Sequence, residues 1–297
     1  MTDRKRILSG RTAVVTGAAR GLGKSIAEEL AARGVNVALL GLEEGALVKV
    51  AAELPTASRC WTVDMTDDAA MARVAEEVPR LMGPVSIVVA NAGVAEAGPF
   101  VDSDADSWRR VIEVNLIGSA VTARSFMPHL LDTRGHYLQI ASTASIGAVP
   151  MMSAYCASKA GVESFSHSLR AEMAPCGVSV GIAYLNWIDT DMIRDADRYA
   201  VMSELRSKFP RPARTTRSAE HVARRVVTAV ERRAPSVYVP GWLRGSQLVR
   251  GVLPGMITRV SRRQLTHSRF TATGLLGAGG RAARHAAVRD GGTADPH

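Results

Sequence analysis

Tyr155 and Lys159, four residues apart, are the pair in this sequence best suited to move a proton. On a helix, residues at that spacing share one face and lie one turn apart. An ordinary tyrosine titrates near about pH 10, so at neutral pH it is a poor proton donor or acceptor. A neighbouring ammonium favours the phenolate and brings the group toward the pH at which it must give or take a proton. The spacing alone is common in structural helices. Two further polar residues give it weight: Ser142, at the end of an apolar run upstream, and Asn115, in Glu113-Val114-Asn115 on a preceding helical stretch.

A second chemistry is carried by Thr16-Gly17-Ala18-Ala19-Arg20-Gly21-Leu22-Gly23. It follows an apolar strand and runs into a helical pattern. Glycines let a backbone approach phosphates, and the free amides and dipole of a helix N-terminus favour negative charge, so the unit reads as a pyrophosphate cradle. The elements around it fit. Strands are expected at Thr12–Thr16, 35–40, 60–63, 85–90, 137–141, 178–184 and 237–239, separated by helical patterns at 22–33, 44–54, 108–128 and 154–173. Continuous apolar strands alternating with helices imply an α/β fold, a Rossmann-type doubly wound parallel sheet of about seven strands. Such sheets bind ligands at the carboxyl ends of their strands. Asp64-Met65 and Asn91-Ala92-Gly93 stand at two of those ends. The expected organisation is a lead (1–10), one catalytic domain (11–240) and an extension (241–297).

The glycine spacing TGxxxGxG, the Asn91-Ala92-Gly93 motif, Asn115, Ser142 and YxxxK, in this order over roughly residues 10–240, resemble the short-chain dehydrogenase/reductase family. The resemblance implies an NAD(P)-dependent oxidoreductase that moves a hydride between the coenzyme and a carbonyl or secondary alcohol. It makes Tyr155 the general acid/base, and gives Lys159 the tasks of lowering its pKa and holding the nicotinamide ribose. Ser142 would hydrogen-bond the substrate oxygen and Asn115 would support a water-linked proton relay. Ser145 ranks second to Ser142 because its spacing from Tyr155 does not suit that role. Coenzyme contacts are expected from Gly17, Arg20, Gly21, Leu22, Gly23, Gly41, Asp64, Met65, Asn91, Ala92, Gly93, Tyr155, Lys159, Ile188 and Thr190, with Asp64-Met65 beside the adenine. The family pairs long helices into homodimers or homotetramers, here 108–128 and 154–173.

The chain departs from the family pattern at two places. Leu185-Asn186 stands where Pro-Gly is usual before Ile188 and Thr190. Gly41-Leu42 offers neither an acid nor a base to the adenosine ribose, while Arg20 could pair with a 2′-phosphate, which favours NADP over NAD despite Glu43 and Glu44. Met151, Met152, Trp187 and Met192 would line an apolar pocket for a lipophilic or bulky substrate. A non-catalytic NAD(P)-binding regulator on the same fold is the rival reading; the presence of Tyr155, Lys159 and Ser142 argues against it.

Composition bounds the remaining possibilities. The chain has 297 residues, 46% hydrophobic, with a net charge of +9. Nine arginines against Asp290 and Asp295 place +7 of it in residues 241–297. A charged partner therefore concerns the extension alone. It lacks the interleaved aromatics of a nucleic-acid surface, but residues 248–260 suit weak association with a membrane surface. Residues 271–297, rich in Gly, Ala and Arg, are expected to be disordered and dispensable for folding and coenzyme binding. Cys60, Cys156 and Cys176 show neither CxxC nor metal spacing, and MTDRKRILSGR lacks the apolar core of a secretory signal, so a cytoplasmic enzyme with no metal is expected.

Overall fold

Six largely apolar segments and a more polar edge segment become seven parallel strands, with helices covering both faces of the central strands. A computed structural model describes residues 7–199, 206–207, 214–264, 272–277 and 280. Its first half runs β1 (Thr12–Thr16), α1 (Gly21–Ala32), β2 (Asn36–Gly41), α2 (Glu44–Glu53), β3 (Ser58–Thr62), α3 (Asp68–Met82) and β4 (Val85–Ala90). There follow α4 (Ala105–Ile112), a π-helical turn (Glu113–Ile117), α5 (Gly118–Thr133), β5 (His136–Ile140), α6 (Ser153–Met173) and β6 (Ser179–Leu185). A short pair, β7 (Ile188–Asp189) and β8 (Arg217–Ser218), brackets α7 (Asp191–Ala196); α8 (Ala219–Glu231) and β9 (Ser236–Val239) complete the sheet.

The strand order is β3-β2-β1-β4-β5-β6-β9. The chain moves outward from β1 to β3 and then crosses back to β4 on the other side of β1, so the switch point lies between β1 and β4. Alternation along each strand divides the core. Ala13, Val15, Leu39 and Val89 pack with Ile26 and Leu30 of α1 and Val226 and Val230 of α8. Val14, Leu40 and Val88 pack on the opposite face with Met71 and Val78 of α3 and Phe126 and Leu130 of α5. Helix starts follow the sequence chemistry: Asp67, Asp104 and Ser218 accept hydrogen bonds from the backbone amides of Ala70, Ser107 and His221. The helical stretch expected over 108–128 is longer and interrupted by the π-helical turn, which carries Asn115.

The C-terminal extension continues as α9 (Leu243–Ser246) and α10 (Leu253–Gln264). It is tied to the domain. The Arg250 guanidinium donates from Nη1 and Nη2 to the two carboxylate oxygens of Glu163 on α6, each at 3.1 Å, and to the Ser145 carbonyl at 3.1 Å. Disorder from about residue 271 does not hold for 272–277. Thr273 N donates to Ala97 O at 2.7 Å and Leu276 N to Ala95 O at 2.8 Å, and Leu275 and Leu276 are buried. Composition suggested a solvated coil, but two adjacent leucines find an apolar groove there. Residues 281–297, assigned to the same tail, lie outside the described residues. Among the described residues, no helix is long and apolar enough to cross a membrane.

The Thr16 side chain helps join the switch point. Thr16 Oγ1, buried at the end of β1, accepts hydrogen bonds from the backbone amides of Asn91 and Ala92, both at 3.0 Å. Thr16→Val keeps the shape and leaves two buried amides unpaired. It is expected to lower unfolding free energy by about 1–3 kcal/mol, measured by denaturant titration, with Thr16→Ser near wild type.

Candidate active site

The cleft opens at the switch point, on the turn between β1 and α1. Gly17 and Gly21 have φ of +64° and +51°, in the region that favours glycine. At Gly23 a Cβ would lie 2.1 Å from the Gly17 carbonyl oxygen; at Gly17 one would lie 2.9 Å from Ala92 Cα. Only glycine lets these segments approach. Asn91 Nδ2 donates to Thr16 O at 2.9 Å, fixing the turn against the end of β4. Arg20, the residue before α1, gives the helix no side-chain cap. The start of α1 therefore faces a cleft of about 220 Å³, which Gly17, Arg20, Gly21, Leu22, Gly23, Asn91, Ala92 and Gly93 line. A bare glycine turn at a helix N-terminus fits a diphosphate.

Other residues expected at the coenzyme are distributed differently. Ile188 and Thr190 line the cleft. Gly41, Asp64 and Met65 do not. Gly41 ends β2 over Leu47. Asp64 accepts hydrogen bonds from Thr66 N and Thr66 Oγ1, at 2.9 and 2.8 Å, and from Arg110 Nη2. Burial alone would raise its pKa, but the Thr66 bonds and the Arg110 guanidinium outweigh it and hold the carboxyl below its ordinary value. Met65 is buried in the core against α5. Glu43, which with Glu44 weighs against a 2′-phosphate in the sequence, lines the cleft, its Oε1 2.8 Å from Arg20 Nη2. Arg20 Nε and Glu43 Oε1 are both buried without a hydrogen-bond partner among the described residues.

At the other end of the cleft stand Ser142, Tyr155 and Lys159. Ser142 follows β5, where its Oγ accepts from Ala144 N at 3.2 Å. Tyr155 and Lys159 lie on one face of α6, with Lys159 Nζ 5.7 Å from the centre of the Tyr155 ring and donating to Ile140 O at 3.2 Å. Burial lowers the Lys159 ammonium to about 8. Burial also raises the Tyr155 phenol, and a hydrogen bond with the Ser142 hydroxyl draws it back in part. Desolvation sets the net direction, and the expected lowering by Lys159 does not accompany it in this structure. Ser145 turns away: its Oγ donates to Ser142 O at 2.6 Å and secures the turn.

Asn115 does not reach the tyrosine. Its Oδ1 accepts from Val94 N at 2.8 Å, and its Nδ2 donates to Val94 O and Ser158 Oγ, both at 2.9 Å. It clamps the strand that leaves β4 onto α6. Asn186 needs no special backbone angle, since the non-glycine residues with positive φ are Arg134, Met151 and Arg233. Asn186 N donates to Val239 O at 3.1 Å, so the loop closes on β9 without Pro-Gly. Beyond Tyr155 a smaller cavity of about 70 Å³ is walled by Met152, Trp187 and Met192. Leu276, from the C-terminal tail, lines both spaces; nothing in its sequence context marked it. Among the described residues there is no cluster that could hold a metal ion.

A parallel sheet with a glycine turn at its switch point and a Ser-Tyr-Lys group at the cleft fits an α/β oxidoreductase. The chain belongs to the short chain dehydrogenase family, whose model matches residues 11–199. It is 33% identical to an uncharacterised oxidoreductase of Staphylococcus saprophyticus, over 64% of this chain and 83% of that one. It is 30% identical to dehydrogenase/reductase SDR family member 7B of Rattus norvegicus, over 82% and 77%. A 2-dehydro-3-deoxy-L-rhamnonate dehydrogenase (NAD(+)) of a Sphingomonas species is 40% identical over 57% and 69%.

Lys159 gives the site a pH signature in stability. Its pKa falls on folding, so below pH 8 both folded and unfolded chains carry the proton and the burial cost is present in full. Between pH 8 and the ordinary lysine value only the folded chain releases it, and stability rises. Lys159→Met should therefore be more stable than wild type at pH 7, by on the order of 1 kcal/mol, with the gap closing toward pH 10. Denaturant midpoints at both pH values measure this; a gap independent of pH would contradict the buried ammonium.

Proposed function

We propose that the protein interconverts a carbonyl compound and its secondary alcohol with a nicotinamide coenzyme, the substrate carrying an apolar substituent. The observation that carries this reading is the Ser142–Tyr155–Lys159 group at one end of the cleft whose other end is the glycine cradle. When bound, the coenzyme supplies or takes the hydride. Gly17, Gly21 and Gly23 would hold its phosphates, and Lys159 its nicotinamide ribose. In the reducing direction Ser142 orients the carbonyl oxygen and the Tyr155 hydroxyl gives that oxygen its proton, leaving a phenolate beside the Lys159 ammonium. In the oxidising direction the same phenolate takes the proton from the alcohol. Asn115 acts through Val94, fixing the segment that passes under Lys159. Met152, Trp187 and Met192 exclude water from the substituent.

Tyr155→Phe removes only the proton-transferring hydroxyl. Turnover of a ketone accepted by wild type should fall by about 10²-fold or more, with the coenzyme dissociation constant nearly unchanged. Turnover close to wild type would remove Tyr155 from the mechanism.

The coenzyme reading turns on Glu43. The case for NADP rested on the missing carboxylate at Gly41-Leu42 and a free Arg20 fork. The Arg20–Glu43 ion pair supports the opposite assignment: the fork is neutralised, and Glu43 lines the cleft, where a carboxylate can accept from a 2′-hydroxyl but repels a 2′-phosphate. We therefore assign NAD. Wild type should bind NADH more tightly than NADPH, and Glu43→Gln should narrow the difference by about tenfold, on the order of one lost charge-assisted hydrogen bond. Tighter binding of NADPH by wild type would restore the first assignment.

A further inference from the structure

Residues 272–277 cross the active site as a strap. Two hydrogen bonds, Thr273 N to Ala97 O and Leu276 N to Ala95 O, run along the segment that leaves β4, and Ala97 N returns one to Thr273 Oγ1 at 3.0 Å. The far end is held by α7, where Gly277 N donates to Asp195 Oδ2 at 2.8 Å. Two glycines make room for it. A Cβ on Gly98 would lie 2.4 Å from Ala272 Cα, and one on Gly277 would lie 2.9 Å from Met192 Cα. The paired leucines point to different places. Leu275 packs with Val94, Val111 and Ala154, beneath Tyr155. Leu276, 1% exposed, packs with Ala95, Met152 and Ala196 and forms a wall shared by the cleft and the smaller cavity.

We infer that this strap is a fixed wall of the substrate site and that Leu276 sets the length of substituent the site accepts. The inference rests on the proposed carbonyl chemistry and deepens it. A tail held only by solvent-exposed contacts would leave the cavity open toward α7. Here four hydrogen bonds and two buried leucines hold the strap against it, and the volume that Leu276 occupies is the volume a longer substituent needs. One methylene more or less in an apolar pocket changes selectivity by roughly 10–200-fold, so a side chain of this size is enough to decide chain length.

The test compares full-length Leu276→Ala, Leu276→Trp and Gly98→Val with wild type, on straight-chain methyl ketones from butanone to decan-2-one. Leu276→Ala should raise the ratio of kcat/KM for decan-2-one over butanone by about tenfold, and Leu276→Trp should lower it by about as much. Gly98→Val displaces the strap without altering a cavity side chain and should change the ratio in the same direction as Leu276→Ala. Dissociation constants for NADH are measured alongside and should change by less than the ratio does, since Leu276 lines the cleft as well as the smaller cavity. A ratio unchanged in all three variants overturns the inference, as does a change in coenzyme binding as large as the change in ratio. If wild type reduces no ketone, the proposed chemistry fails, and the strap is judged by decan-2-one binding, followed through the fluorescence of Trp187. Binding weakened about tenfold by Leu276→Trp sustains it, and unchanged binding overturns it.

Discussion

The close approach of two strand ends governs the rest of the molecule. The turn after β1 and the segment after β4 meet with so little space that Gly17 and Gly23 cannot carry a Cβ, and Thr16 and Asn91 supply the polar bonds across the junction. Every functional group is placed relative to that junction. The glycine side faces the start of α1, where phosphates are favoured; the other side continues through Gly93 and Val94, beneath Lys159. A shift of an ångström there would change the spacing between the glycine turn and the Tyr155–Lys159 pair.

The helix that carries Tyr155 and Lys159 is held one turn further along the same face. Glu163 lies one turn past Lys159 on α6 and is almost fully buried, which would be costly for an isolated carboxylate. It is not isolated: Tyr184 OH donates to it at 2.8 Å, and Arg250 grips both oxygens. The same Arg250 reaches the carbonyl of Ser145, whose hydroxyl in turn holds the carbonyl of Ser142. A residue of the basic extension thereby fixes both α6 and the turn that presents the serine. The positive charge of that region is, at this position, spent inside the protein rather than offered to a partner.

What was legible in the sequence was local. The strands were readable because burial on both faces demands unbroken apolar runs, and β1, α1 and the glycine turn because each requires particular residues at particular places. Tyr155 and Lys159 were readable because helical spacing alone puts them on one face. What escaped depends on contacts between distant segments. Nothing near Leu276 in the chain says that Ala95 and Ala97 will pair with its neighbours. The weight to give Glu43 against Arg20 was not legible, because their distance is set by how β2 lies beside β1. The net direction of the Tyr155 shift depends on how thoroughly the surrounding loops exclude water, which composition does not report.

Several local rules are broken around the site, and the breaks are connected. Asn115 sits in a π-helical turn, a geometry rare in helices and frequent at functional positions. Met151 holds φ at +66°, at a cost of about 1–3 kcal/mol for a residue with a side chain. Lys159 keeps an ammonium where burial opposes it. Each departure serves the same wall. The π-helical turn lets Asn115 clamp Val94, from which the strand runs on to Ala95 and Ala97; Met151 O accepts from Gly98 N at 2.8 Å and holds the far end of that strand. The strap lies along the segment so fixed, and Met152 turns into the cavity beside Leu276. The π-helical turn and the strained Met151 thus fix one segment, and the C-terminal strap packs against it beside the smaller cavity.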